Sequence, residues 1–142
     1  MKTPEPFRGI GQKREVFIVE DEGVTALHFV QTVETLGYAV SGVAHSGEEA
    51  LQMIEQHPPD IVLMDVSLQG EMSGTQTGEI LRRRMKLPVV FVTAYDNPAT
   101  LEEVRMAGGD ALLTKPLKVK ELEIALRSVL EFRDRNASLN VD

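Results

Sequence analysis

The sequence contains no cysteine among its 142 residues. It can therefore form no disulfide and no thiolate metal site, and it offers no cysteine nucleophile. It also lacks a run of about 18 apolar residues, the length that a membrane-spanning helix needs, and no apolar segment of signal-peptide type stands near its N-terminus. These absences predict a cytoplasmic protein that makes no direct contact with a membrane.

Positive charge is scarce as well. The 15 lysines and arginines are outnumbered by 22 aspartates and glutamates, which gives a net charge of −7. Nucleic acids are held largely by clustered positive charge, so this balance argues against direct binding of nucleic acid.

Length and composition predict a single domain. With 42% hydrophobic and 26% charged residues, the chain can bury a core and remain soluble. Segment 1–14 holds prolines, glycines and scattered charge, and segment 134–142 is polar. We therefore predict a domain over residues 15–133 between a flexible N-terminal tail and a C-terminal tail.

Short apolar runs rich in β-branched residues predict the strands. Val16–Val19, Ile61–Met64 and Val89–Val92 are too short for helices and have no polar face, which is typical of strands buried on both sides. Ala39–Ala44 and Ala111–Leu113 fit two weaker strands between turn residues.

The first helix is predicted from apolar residues at helical spacing, and Gly37 is the expected end of that helix. The predicted buried stripe consists of Val24, Leu27, Val30, Val33 and Leu36.

The other helices have recognisable ends. Ser46 with Glu49 three residues later is a capping-box pattern, and Asn97 followed by Pro98 is a typical helix start. These pairs open the second and fourth helices. The two remaining predicted helices cover about Thr75–Met85 and Val119–Phe132.

Five strands alternating with five helices through short loops predict an α/β fold. The sheet is doubly wound, parallel and five-stranded, with helices on both faces. In the common order 2-1-3-4-5, strands one, three and four are neighbours, and ligands bind beyond the carboxyl ends of the strands.

Polar side chains stand at those strand ends. Glu20 and Asp21 follow the first strand, Asp65 ends the third, Thr93 the fourth and Lys115 the fifth. The second strand ends at Ala44 without such a side chain, and it would lie at the edge of the sheet. We expect the five side chains to converge.

Carboxylates that converge repel each other unless a cation shares the site. The only histidines, His28, His45 and His57, are scattered, so the oxygen-rich set favours Mg²⁺ over a softer metal. A metal, a lysine and a hydroxyl together suit a phosphoryl group. Asp65, on a central strand, is the best placed nucleophile and would form an acyl phosphate.

Four motifs carry a resemblance to a known family. Phe17–Glu22, Leu63–Asp65, Val92–Ala94 and Leu113–Pro116 stand in order at their strand ends and resemble the receiver domain of two-component response regulators, a flavodoxin-like fold. The resemblance extends from about Glu15 to Arg133.

The resemblance implies a phosphorylation-activated switch. Asp65 would accept a phosphoryl group from a histidine kinase or a histidine phosphotransfer protein. Glu20 and Asp21 would hold Mg²⁺ together with Asp65 and the backbone carbonyl of Ser67. Thr93 would hydrogen-bond a phosphoryl oxygen and Lys115 would pair with the phosphate.

Further features follow from the same resemblance. The Lys115–Pro116 bond is expected to be cis. Phosphorylation would change the face formed by the fourth helix, the fifth strand and the fifth helix, which could bind an unidentified downstream protein or pair two copies of the chain. The chain would be no enzyme beyond its own phosphorylation and dephosphorylation.

Two positions depart from the family pattern. Leu112 stands where the family usually has an aromatic residue that rotates on activation. Tyr95, two residues after Thr93, offers an aromatic ring nearby. The loop 67–74 is one residue longer than the commonest version.

Three alternatives remain at the level of the sequence. The chain could be a receiver-like domain that signals without phosphorylation, as Leu112 allows. It could be an aspartate-nucleophile phosphatase, although Ser67 stands where such enzymes usually have a second acid. A nucleotide or flavin binder fits the fold, but the first loop lacks residues that cradle phosphate.

Overall fold

The structure is a computed structural model that describes residues 12–139. Most of the predicted N-terminal tail lies outside these residues. The elements are β1 (Glu15–Val19), α1 (Gly23–Thr35), β2 (Ala39–Ala44), α2 (Gly47–Gln56), β3 (Ile61–Asp65), α3 (Gly74–Met85), β4 (Val89–Thr93), α4 (Pro98–Met106), β5 (Ala111–Thr114) and α5 (Val119–Leu139).

The five strands form one parallel sheet in the order β2-β1-β3-β4-β5, which confirms the predicted topology. The register aligns the carboxyl ends of the central strands. Asp65 of β3 lies opposite Val92 of β4, and Thr93 of β4 lies opposite Thr114 of β5. The strand ends that carry the predicted site residues therefore share one edge of the sheet.

The core has one layer on each face of the sheet, because successive strand residues point to opposite faces. Phe17 and Val19 of β1 join the layer under α2, α3 and α4, whereas Val16 and Ile18 join the layer under α1 and α5. Among residues 12–139, no helix combines the length and the apolar character that a bilayer crossing requires.

The face of α1 differs from the predicted one. Its buried residues are Ala26, Phe29, Thr32 and Val33. The helix is turned so that the large Phe29 ring fills the core, and this leaves Val24 77% exposed and Leu27 57% exposed. The predicted stripe was therefore wrong for Val24 and Leu27.

The helix ends follow most of the predicted signals. Gly37 has a φ of +93°, as a residue that ends a helix in the left-handed region does. Ser46 Oγ accepts the Glu49 N–H at 3.1 Å. The Glu49 carboxylate accepts the N–H of His45 instead of that of Ser46, so only half of the predicted capping box forms.

The last helix continues past its predicted end at Phe132, because distant residues hold the added turns. The Arg14 guanidinium donates two hydrogen bonds of 3.2 Å to Asp134, and Arg133 donates one of 2.8 Å to the carbonyl of Asp60. The described part of the predicted C-terminal tail is therefore helical.

Removing the cap of α4 is expected to destabilise the domain. The Asn97 side chain accepts the Thr100 N–H at 2.9 Å, and Pro98 occupies the first turn, as predicted. Asn97→Ala should lower the free energy of unfolding by about 1 kcal/mol, measured by urea denaturation. Asn97→Ser, which keeps a capping oxygen, should retain most of the stability that Asn97→Ala loses. Equal losses in both variants would show that the cap contributes nothing.

Candidate functional site

Three carboxyl groups meet at the carboxyl edge of the sheet. Each of Glu20, Asp21 and Asp65 offers one oxygen, and these oxygens lie within 4.8 Å of one another. Glu20 and Asp65 are buried, with 1% and 3% of their surfaces exposed, and Asp21 is partly exposed. Their position just after β1 and at the end of β3 produces this convergence.

Lys115 joins the group from the end of β5. Its Nζ lies 3.0 Å from Glu20 Oε1 and donates a hydrogen bond of 3.2 Å to Asp65 Oδ2. The same Nζ is 6.0 Å from the centre of the Phe29 ring. The Lys115–Pro116 bond is cis, as the resemblance implies.

The electrostatics of the site follow from burial and from this pairing. Burial raises the pKa of Glu20 to about 7; the Asp65 charge adds to the rise, and the Lys115 hydrogen bond opposes it. Burial lowers the pKa of Lys115, but Glu20 and Asp65 outweigh that effect and leave the pKa above its usual value. Lys115 therefore stays protonated beside the carboxyl groups of Glu20 and Asp65.

Backbone N–H groups orient the carboxylates. The N–H of Ser67 donates to Asp65 Oδ1 at 3.0 Å, and that of Gln69 donates to Asp21 Oδ2 at 3.0 Å. Ser67 thus lies at the site, although the predicted role of its carbonyl stays a prediction.

The donor set fits a hard divalent cation. All three carboxylates offer oxygen ligands, which Mg²⁺ prefers. Once all three groups are ionised, the positive charge of Lys115 offsets only one of the three negative charges, and a divalent cation would balance the others in this largely buried place.

Thr93 stands on the strand next to Asp65. It is 1% exposed. Its hydroxyl donates to the Tyr95 carbonyl and accepts the Tyr95 N–H, both at 3.0 Å. The Tyr95 side chain is 66% exposed and points away from the core. The hydroxyl is thus held by its own loop near the carboxyl edge.

Leu112 is half-buried and packs against the core layer under α2, α3 and α4. That layer includes Val104 of α4. The position usually taken by the family's switch aromatic is therefore filled by an aliphatic side chain that can make no hydrogen bond.

Sequence reasoning missed two polar contacts, one at the site and one at the start of α3. His45 Nδ1 lies 2.9 Å from the Glu20 carbonyl oxygen, so the end of β2 also supplies a polar group. Its place directly after a predicted strand was a usable signal. Ser73 starts α3 with a full capping box in which Gln76 is the partner. This pair has the same spacing as Ser46 and Glu49.

Comparison with known proteins finds relatives that are named as regulatory proteins. The transcriptional regulatory protein PdtaR of Mycobacterium tuberculosis is 34% identical over 125 residues, which are 87% of this chain and 60% of PdtaR. The polar-differentiation response regulator DivK of Brucella ovis is 33% identical over 120 residues, 82% of this chain and 96% of DivK. The chain therefore spans less than two thirds of PdtaR and nearly all of DivK.

Solved structures of receiver domains are also similar to this chain. A signal receiver domain of a modulated diguanylate cyclase from Desulfovibrio desulfuricans has a TM-score of 0.82 at 28% identity, over 89% of this chain and 99% of that one. A CheY-like response regulator receiver domain protein from Methanospirillum hungatei has a TM-score of 0.79 at 25% identity, over 88% and 99%. The family model of the response regulator receiver domain matches residues 16–127. The chain belongs to the response regulator receiver domain family.

Proposed function

We propose that this chain is a phosphorylation-activated switch of a two-component system or phosphorelay, with Asp65 as the phosphoryl acceptor. The observation that carries the proposal is the placement of Lys115, which bridges buried Asp65 and buried Glu20 at the carboxyl edge of the sheet. A nucleophilic carboxylate, a fixed ammonium and a set of metal-binding oxygens are the parts that phosphoryl transfer needs.

The reaction begins at the Asp65 carboxylate. One oxygen attacks the phosphorus, the bond from phosphorus to the donor breaks, and an acyl phosphate forms. Lys115 and the Ser67 N–H hold the carboxylate in place beforehand. Mg²⁺ bound by Glu20, Asp21, Asp65 and the Ser67 carbonyl would neutralise charge on the phosphoryl oxygens. Thr93 would leave its contacts with the Tyr95 backbone and donate to one of those oxygens.

The donor is a histidine kinase or a histidine phosphotransfer protein. An accessible apolar surface beside Lys115 supports a protein donor. Val24 is 77% exposed and Leu27 57% exposed on α1. A cavity of about 360 Å³ lies between the start of α1 and the β5–α5 loop, with Phe29 and Lys115 in its wall.

The output is a change of protein contacts. α4, which with β5 and α5 forms the proposed output face, exposes Leu101 by 50% and Met106 by 65%, so apolar side chains on this helix are available to a partner. This face could bind a downstream protein or a second copy of the chain. The only reactions that we assign to the chain are the phosphorylation and dephosphorylation of its own aspartate.

Incubation with acetyl phosphate tests the proposal. We expect intact-mass measurement to find one added phosphoryl group with Mg²⁺ and none with a chelator. If acetyl phosphate fails, a histidine kinase replaces it as donor. No added group with either donor would contradict the proposal and favour a domain that signals without phosphorylation, and turnover of small phosphate esters would favour a phosphatase.

A further inference from the structure

The start of α3 is packed against the main chain of Asp65. A Cβ atom added to Gly74 would lie 1.8 Å from the Asp65 carbonyl oxygen, so the two backbones are in direct contact. The Gly74 N–H also donates to the carbonyl of Val66 at 3.0 Å. Because this contact leaves no free space, a shift of the segment after Asp65 must displace the start of α3.

The next residue reaches from α3 to α4. Thr75 is 4% exposed, and its hydroxyl donates to Glu103 Oε2 at 2.7 Å. The same hydroxyl lies 3.1 Å from Ser73 Oγ, which caps α3. A short hydrogen bond to a carboxylate is among the stronger kinds, and this one joins two helices that are separated in the sequence.

α4 is weakly anchored. Its only buried residue is Val104, while Leu101 and Met106 are at least half exposed. Beyond its C-terminal end, Arg82 donates to the carbonyl of Gly108 at 2.8 Å. A helix with so little buried surface depends on each remaining contact and opens at low cost.

We propose that the hydrogen bond between Thr75 and Glu103 couples Asp65 to α4, so that phosphorylation of Asp65 breaks this bond and releases α4. The inference rests on the proposed function and adds the link through which the site acts. Leu112 cannot supply that link through a rotating aromatic side chain. In this proposal α4 has two states, held or released. The contact of Gly74 with Asp65 lets phosphorylation shift the balance between these states.

Hydrogen exchange of the α4 amides, followed by mass spectrometry, tests the coupling. In the wild type, we expect exchange in α4 to speed up after acetyl phosphate and Mg²⁺ are added. Thr75→Val keeps the side-chain shape without the hydroxyl, and Glu103→Ala removes the acceptor at an exposed position. In both variants, the α4 amides should exchange about tenfold faster than in the wild type before phosphorylation, and phosphorylation should not speed up their exchange further.

Two control variants isolate the bond. Glu103→Gln keeps an acceptor oxygen without the charge, so its α4 exchange should lie between those of the wild type and Glu103→Ala, and it should still speed up on phosphorylation. Glu102→Ala removes the neighbouring carboxylate, which pairs with Arg105 on the exposed side of α4, and should also keep the response. Intact mass is recorded on every sample to show how much Asp65 is phosphorylated.

The outcomes separate this inference from the proposed function. Slow α4 exchange in Thr75→Val and Glu103→Ala, with a normal rise on phosphorylation, would overturn the coupling alone. A wild type that gains no phosphoryl group from acetyl phosphate or a histidine kinase would overturn both. A loss of the response in Glu102→Ala as well would overturn the specific role of Thr75.

Discussion

Replacing Asp65 by asparagine is expected to abolish phosphorylation of the chain. The variant keeps the shape of the side chain and a partner for Lys115, but an amide is no nucleophile toward phosphorus. With acetyl phosphate and Mg²⁺, the rate of mass gain should fall by at least about 10³-fold relative to the wild type. Intact mass spectrometry over time measures this rate.

A matched control keeps the result specific. Asp96 is an exposed carboxylate in the loop after β4, close in sequence to Thr93. Asp96→Asn removes the same charge and should be phosphorylated as fast as the wild type. Continued phosphorylation of Asp65→Asn would assign the acceptor to another carboxylate and contradict the role given to Asp65.

Glu20→Gln is expected to stabilise the protein when no divalent cation is present. The pKa of Glu20 is raised from its ordinary value of 4.5 to about 7 in the folded state, chiefly by burial. Between these values the folded protein holds a proton that the unfolded chain has lost, so the stability of the wild type falls as the pH rises. The variant does not undergo this loss.

The difference should therefore depend on pH and on metal. In a chelator at pH 8, Glu20→Gln should exceed the wild type by about 2 kcal/mol in free energy of unfolding, measured with urea. Below about pH 4.5 the advantage should vanish, because Glu20 is then protonated in both states. Excess Mg²⁺ should stabilise the wild type and reduce the advantage.

Glu22→Gln provides the comparison for this test. Glu22 is exposed and lies two residues after Glu20, so its replacement should change stability by less than about 0.5 kcal/mol at either pH. If Glu20→Gln were no more stable than the wild type at pH 8 in chelator, burial of Glu20 would carry no electrostatic cost. The interpretation of the acidic cluster would then be wrong.

The strands could be predicted because their signal is local, and their order because 2-1-3-4-5 is a common arrangement of doubly wound sheets. A strand buried on both faces must be apolar throughout, as Ile61–Met64 and Val89–Val92 are. The next residue along each strand then stands at the carboxyl edge, which is how Asp65 and Thr93 could be placed near each other. Parallel topology supplied the rest of that argument.

Features that depend on distant residues could not be predicted in the same way. The rotation of α1 is set by the fit of Phe29 into the core. Apolar spacing alone could not show that Phe29 is buried in preference to Val24 and Leu27. The bond between Thr75 and Glu103 joins residues 28 positions apart. No local pattern contains such a pair, since its geometry depends on how two helices pack.

The paired hydrogen bonds between Arg14 and Asp134 have a practical consequence for protein engineering. They bring the beginning of β1 and the later part of α5 side by side, at the edge of the sheet opposite Asp65. One flexible linker could join these two regions while the polypeptide is cut open in a surface loop instead. Such a circular permutant would move the points of attachment for a reporter without disturbing the acidic cluster.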